Sequence, residues 1–577
     1  MTATLEAPPD TTPSDEDPAA APPRGKSVPA ALEPWRDPHP RLGWLSTLVI
    51  AVLAAFTRFW ALGFPPGMPG GKPNIPMNGM NFDEVYYATE AQELLRYGYE
   101  DNRGYMFIVH PTLGKWLIAG SEWLWDSPSN SAAWLSNSIG WRIAPALFGC
   151  LGVIMISRIV RRMMRSNLFG FIAGLLMALE GMSLVLARTA ILDIFLQTFI
   201  IAAFGALVID RDKMRARLAR LIAAGADLSS GVPTLGPRPW RLVAGVMLGL
   251  ACAVKWTGAF FFIAFILMSL IWDRAALKSA GVRRPTRAWA RRAVLPGLGS
   301  LVIAPIGAYL LTYLGWFAGE NGWNRHWADT HSASARIKIS LGFAHLKVPI
   351  DWGWVPGPIR SLGAYSLDAY RFHEHLYDPH TYQSNPWSWL VLGRPVDFYY
   401  DSNATTCGAS SCAREVLLLG TPLLWWAFIP MLLWLAWHWA TTRDWRAAAV
   451  WVAFFAGWVV WFQDLKRTMF LFYMAPLVPF LIIGLTLALG TMLGPALPAR
   501  PARDFEAEAA DPATRTSAYE QEAKYERIVR RRYWGIAGIS VYLALVIADF
   551  AWMWPLFTGG LLTYNEWHAH MWLPSWV

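Results

Sequence analysis

The chain has 577 residues, of which 54% are hydrophobic and only 16% charged, with a mean hydropathy of +0.28. Soluble domains carry about 25% charged residues, so this balance excludes an ordinary soluble globule and points to a polytopic membrane protein. The net charge of +9 does not signal nucleic acid here, because the basic residues fall in short loops between apolar runs, as positive-inside topology requires.

In chain order, residues 1–40 are rich in Pro, Ala, Asp and Glu and nearly free of large apolar residues. They predict a disordered cytoplasmic tail with no cleavable signal. The remainder, 41–577, reads as one transmembrane domain. Spans of roughly 20 apolar residues are expected near 43–63, 138–160, 168–186, 190–209, 241–254, 257–273, 293–316, 416–440, 447–462, 469–492 and 533–554, about eleven helices in all. The basic stretches RRMMRS (161–166), DRDKMRARLAR (210–220), Arg274 to Arg292 and the 493–532 loop ending in RIVRRR belong inside, and they alternate correctly with that count. Two large loops, 64–137 and 317–415, then lie on the outer face. The second is too rich in Trp, Tyr and His to read as disordered. The 34 Trp fit aromatic belts at two interfaces.

Four Cys are present. Cys150 and Cys252 lie in apolar runs and read as packing residues. Cys407 and Cys412, in TTCGASSC, sit in the outer loop as a short disulfide or as two free thiols. No second Cys or His pair is spaced for zinc, and no P-loop or dinucleotide fingerprint is found.

The ionisable residues that fall at the outer membrane level are Asp83, Glu84, His110, Lys115, Arg142, Arg188, Asp193, Lys255, Asp464, Lys466 and Arg467. Charges against an apolar zone are costly and tend to mark sites. Arg and Lys suit a phosphate, and a carboxylate suits a general base. Such a set fits a phosphate-linked lipid donor and an acceptor hydroxyl. Each member also has a plainer reading. A lone Arg at a helix end snorkels. Arg188 and Asp193 make either a site pair or a structural salt bridge. Lys466 reads as an interfacial anchor, and Glu90 and Glu93 as a solvated helical face.

The ordered set FDEVYYATEA (82–91), HPTLGKWLIA (110–119), WRIAPALFG (141–149), LARTAILDIFL (186–196), AVKWTGAF (253–260) and KRTMFLFYMAPLVPF (466–480) resembles the protein O-mannosyltransferases, most closely the actinobacterial branch, from about residue 43 onward. The resemblance implies an all-α membrane enzyme of the GT-C type. It would transfer mannose with inversion, from polyprenyl phosphate mannose to Ser or Thr hydroxyls of secreted proteins, on the outer membrane face. Asp83 then matches the family's catalytic Asp, and Glu84 positions acceptor or donor. Arg142, Lys255 and Arg467 fall to the donor phosphate, with His110, Lys115, Arg188, Asp193 and Trp256 supporting. No metal or other cofactor is expected. Membrane lipids and a secretion translocon are the further partners considered. Two departures stand out. The 317–415 loop is too short for the MIR domain of eukaryotic members, and the second motif reads His-Pro-Thr where His-Pro-Pro is common. The rival readings are a GT-C enzyme with a lipid or glycan acceptor and a transporter of lipid-linked sugar.

Overall fold

The computed structural model describes residues 27–35, 37–65, 80–101, 109–125, 138–229, 232, 235–341, 344–494, 497 and 511–577. Parts of the predicted tail and of the 64–137 and 493–532 loops lie outside these residues. In hydrocarbon a backbone amide finds no water, so each apolar run closes its hydrogen bonds within itself as a helix. The helices used below are α1 Pro40–Phe59, α2 Glu84–Tyr97, α3 Leu113–Trp125, α4 Ser138–Met164, α5 Asn167–Ala178, α6 Gly181–Leu186, α7 Asp193–Ala223, α8 Pro239–Val254, α9 Gly258–Ser279, α10 Pro285–Leu311, α11 Gly357–Glu374, α12 Pro422–Thr442, α13 Trp445–Phe462, α14 Val478–Leu493 and α15 Pro512–Thr558. Among the described residues, eight are long and apolar enough to cross a membrane: α1, α4, α7, α9, α10, α12, α13 and α15. The shorter apolar helices α5, α8 and α14 fall on the three other predicted segments.

The segment expected as one span over 168–186 is broken at Leu179–Glu180. Arg58 donates to the carbonyls of Met177 (3.1 Å) and Ala178 (2.9 Å), closing the end of α5. The fully buried Glu180 accepts from the amides of Met182 (3.0 Å) and Ser183 (2.6 Å), opening α6, and from Trp425 Nε1 (2.8 Å). Orphan amides and carbonyls at a buried break need such partners. The tail also ends before residue 40, because Leu32 in a short 3-10 turn is fully buried in a cluster with Leu218 and Leu277.

Two glycines set the distance between α8 and α10. A Cβ on Gly245 would stand 1.8 Å from the Ser300 carbonyl oxygen, and one on Gly249 2.3 Å from that of Pro305. This small-xxx-small spacing lets two backbones meet.

The described parts of the two long loops expected outside carry regular elements. The first carries α2 and α3. The second carries α11, one small sheet and two strands of another that a strand from beyond α15 completes, so the chain is not purely helical. In one sheet β1 Ser334–Leu341 pairs antiparallel with β2 Ala344–Asp351. In the other, β3 Val396–Asp401, β4 Cys412–Leu418 and β5 Leu562–Thr563 run antiparallel in the order β3-β4-β5. Cys407 is disulfide-bonded to Cys412, the first residue of β4.

Candidate active site

The site begins at the N-terminus of α2. Phe82 has φ of 49°, in the left-handed region, which a bulky side chain rarely adopts without being held. It is held by aromatic contacts. Its ring stacks on Phe398 at 5.2 Å and meets His380, Phe470 and Phe472 edge-on at 5.6–5.9 Å. Asp83 follows at the N-cap position but makes no side-chain cap bond to its own helix. Its carboxylate instead lines a cavity of about 630 Å³.

The same cavity is lined by Tyr87, His110, Asp193, Lys255, Trp256, His373, Arg467 and Tyr473. Burial pushes the Asp83 carboxyl up to about 6. Asp193 adds to that push, while Lys255 and the Tyr87 hydroxyl oppose it. A carboxylate tuned toward the working pH suits proton abstraction. Lys255 pairs with Asp193 at 2.6 Å. Arg467 is bonded differently. It donates from Nε to the His373 carbonyl (3.2 Å), from Nη1 to the Thr468 carbonyl (3.3 Å) and the Tyr473 hydroxyl (3.2 Å), and Nη2 faces His373 Nδ1 at 3.3 Å. These partners are neutral, so its charge is not offset by any ion pair among the described residues. Trp256 donates from Nε1 to the Tyr309 hydroxyl (3.2 Å), presenting its ring to the cavity. The His110 and His373 rings stack at 5.0 Å. Among the described residues no three His, Cys, Asp or Glu converge as metal ligands would.

Several sequence-based expectations are corrected. Arg142 is not at the cavity. It is fully buried, donates to both Glu84 oxygens (2.8 and 2.7 Å) and reaches the carbonyls of Leu62 (3.3 Å), Phe64 (2.9 Å) and Pro65 (3.1 Å). A guanidinium so engaged does not hold a donor phosphate. Glu84 does not touch the cavity either. Besides Arg142 it accepts from the amides of Asn81 and Ala190, both at 2.8 Å, and so ties the start of α2 to the turn before Asp193. Lys115 is fully buried between Glu100 (2.8 Å) and Glu90 (3.0 Å), so Glu90 is not on a solvated face. The Arg188–Asp193 pair does not form. Arg188 caps the end of α1, donating to the carbonyls of Thr57 (3.4 Å), Arg58 (3.3 Å), Trp60 and Ala61 (3.1 Å).

The structure brings Asp83, His110, Asp193, Lys255, Trp256 and Arg467 together and leaves Lys466 exposed nearby. Sequence reasoning missed Tyr87, His373 and Tyr473. Tyr87 stands one helical turn beyond Asp83 and was findable by that spacing. His373 lies in the last turn of α11 and carried no local signal.

An apolar helix bundle whose cavity is lined by a carboxylate and by an arginine with no ion-pair partner among the described residues fits the GT-C glycosyltransferase architecture. The chain superposes on the Saccharomyces cerevisiae protein O-mannosyltransferase Pmt1–Pmt2 complex bound to its sugar donor, with a TM-score of 0.65. That match has 15% identity and covers 93% of this chain and 92% of that one. Residues 48–317 match the dolichyl-phosphate-mannose-protein mannosyltransferase family, and residues 364–576 the C-terminal four-transmembrane region of protein O-mannosyltransferase. The chain is 39% identical to the polyprenol-phosphate-mannose–protein mannosyltransferase of Mycobacterium tuberculosis, over 95% of each chain. It is 34% identical to that of Corynebacterium glutamicum, over 93% of this chain and 94% of the other. The chain belongs to the protein O-mannosyltransferase family.

Proposed function

We propose that this protein transfers mannose from polyprenyl phosphate mannose to Ser or Thr hydroxyls of secreted proteins, at the outer face of the cell membrane, with its N-terminus in the cytoplasm. One observation carries the mechanism. Asp83, with its carboxyl raised to about 6, shares a cavity with Arg467, whose charge has no carboxylate partner among the described residues. Asp83 takes the proton from the acceptor hydroxyl as its oxygen bonds to C1 of the sugar. The C1–oxygen bond to phosphate breaks on the opposite side, and the electron pair leaves with the phosphate. This gives inversion in a single displacement. Arg467 and Lys255 stabilise the charge that gathers on the departing phosphate, a term that often dominates in a water-poor site. Arg142 acts at a distance, by fixing Glu84 and through it the base. Acceptors that arrive as unfolded secretory chains place the enzyme beside the secretion translocon. Absence of the translocon from every purified complex overturns that last point.

The test uses purified protein with polyprenyl phosphate mannose and a Ser/Thr/Pro-rich peptide, with and without EDTA, followed by mass spectrometry. The peptide gains a hexose with the native enzyme and gains none with Asp83→Ala or Asp83→Asn. Mannose found on a lipid or glycan instead overturns the acceptor assignment. Loss of transfer in EDTA overturns a metal-free mechanism.

A further inference from the structure

The Arg467 guanidinium is held by one residue at two points. The His373 carbonyl accepts from its Nε, and the His373 ring nitrogen Nδ1 faces its Nη2. The other ring nitrogen, Nε2, lies 2.6 Å from the Val109 carbonyl oxygen. These contacts fix the tautomer. A carbonyl cannot donate, so Nε2 carries the hydrogen. A guanidinium cannot accept, so Nδ1 offers its lone pair to Arg467. The His110 ring stacks on the His373 ring at 5.0 Å, and both line the cavity. The environment favours the same neutral form. Burial lowers the His373 pKa to about 4, with Arg467 and Lys255 adding to this against the Val109 bond.

Resting on the proposed function, we infer that His373 is a positioning residue: its neutral ring, spanning Val109 and Arg467, aims the guanidinium at the departing lipid phosphate. This explains how an arginine without a carboxylate partner keeps one orientation. A carboxylate in the place of His373 would fix the arginine equally well but would cancel the charge the phosphate needs. The bond to Val109 also joins that arginine to the loop carrying His110, on the Asp83 side of the cavity.

Two substitutions separate the ring's two bonds. His373→Asn keeps an acceptor at the Nδ1 position and loses the donor at Nε2. His373→Gln keeps a donor at the Nε2 position and loses the acceptor. KM for polyprenyl phosphate mannose is measured alongside direct binding of polyprenyl phosphate to the purified protein in detergent. His373→Gln is expected to weaken both by roughly tenfold or more, the scale of one hydrogen bond to a charged group, with His373→Asn closer to the native protein. In an Arg467→Ala background His373→Gln is expected to have little further effect, since residues acting as a unit do not add. Equal losses in the two variants, full additivity with Arg467→Ala, or a fall in kcat with donor KM unchanged each overturn the inference while transfer by the native enzyme stands. Failure of the native enzyme to transfer any hexose overturns the functional reading itself.

Discussion

Asp83 and Glu84 are chain neighbours with the same functional group, and their surroundings give them opposite work. Glu84 points inward to a guanidinium and two amides, while Asp83 points to the cavity. Asp83→Asn is therefore expected to lower transfer about 10²–10⁴-fold with polyprenyl phosphate binding retained, read by single-turnover assay and by binding. The base works only when deprotonated, and its carboxyl sits at about 6. The acceptor kcat/KM should accordingly rise with pH through about 6 and level off above it, and a rate independent of pH from 5 to 8 would exclude this base. Arg142→Ala leaves Glu84 buried and unpaired, a loss on the order of 3–5 kcal/mol. It should lower the unfolding temperature, whereas Arg467→Ala should weaken donor binding with little effect on stability. The sequence showed which charges to weigh, because each stands out against apolar neighbours. It did not show which pair with one another. Lys255 rather than Arg188 pairs with Asp193 because partner choice depends on which helix ends meet in space.

At the scale of elements, the apolar runs were legible because a bilayer demands long uninterrupted hydrophobic segments. The break between α5 and α6 was not, although Glu180 stood in plain view within its run. Whether a buried carboxylate ends a helix depends on Arg58 and Trp425, which arrive from distant segments. Small residues were easy to overlook too. At Gly245 even a methyl group has no room against the Ser300 carbonyl. Gly245→Val should separate α8 from α10 and cost on the order of 1–3 kcal/mol or more through overpacking, seen as lower thermal stability in detergent and reduced yield of folded protein.

For the whole molecule, the orientation proposed from the basic loops makes a prediction that needs no activity. Ser402→Cys, in the outer sheet region, should react with a membrane-impermeant maleimide on intact cells. Arg283→Cys, in the basic stretch after α9, should react only after permeabilisation. The reverse pattern would invert the topology. Order in the 317–415 loop was legible from its aromatic content, but its strands and the packing of its residues against the cavity were not, since those contacts span distant parts of the chain.

The cavity joins a base near the start of the chain to an arginine near its end. The segment holding that arginine is laced to the second loop, with the Thr468 amide on the Leu376 carbonyl and the Ser384 amide on that of Met469. On the proposed orientation and mechanism, the carboxylate therefore reaches the outer face during synthesis long before its cationic counterpart does. A nascent protein carries half a catalyst, and competence comes as a late, single event once the penultimate apolar segment has been inserted and the loop has closed on it. Chains cut short anywhere before Arg467 should accumulate as catalytically silent intermediates, however well their first helices are integrated.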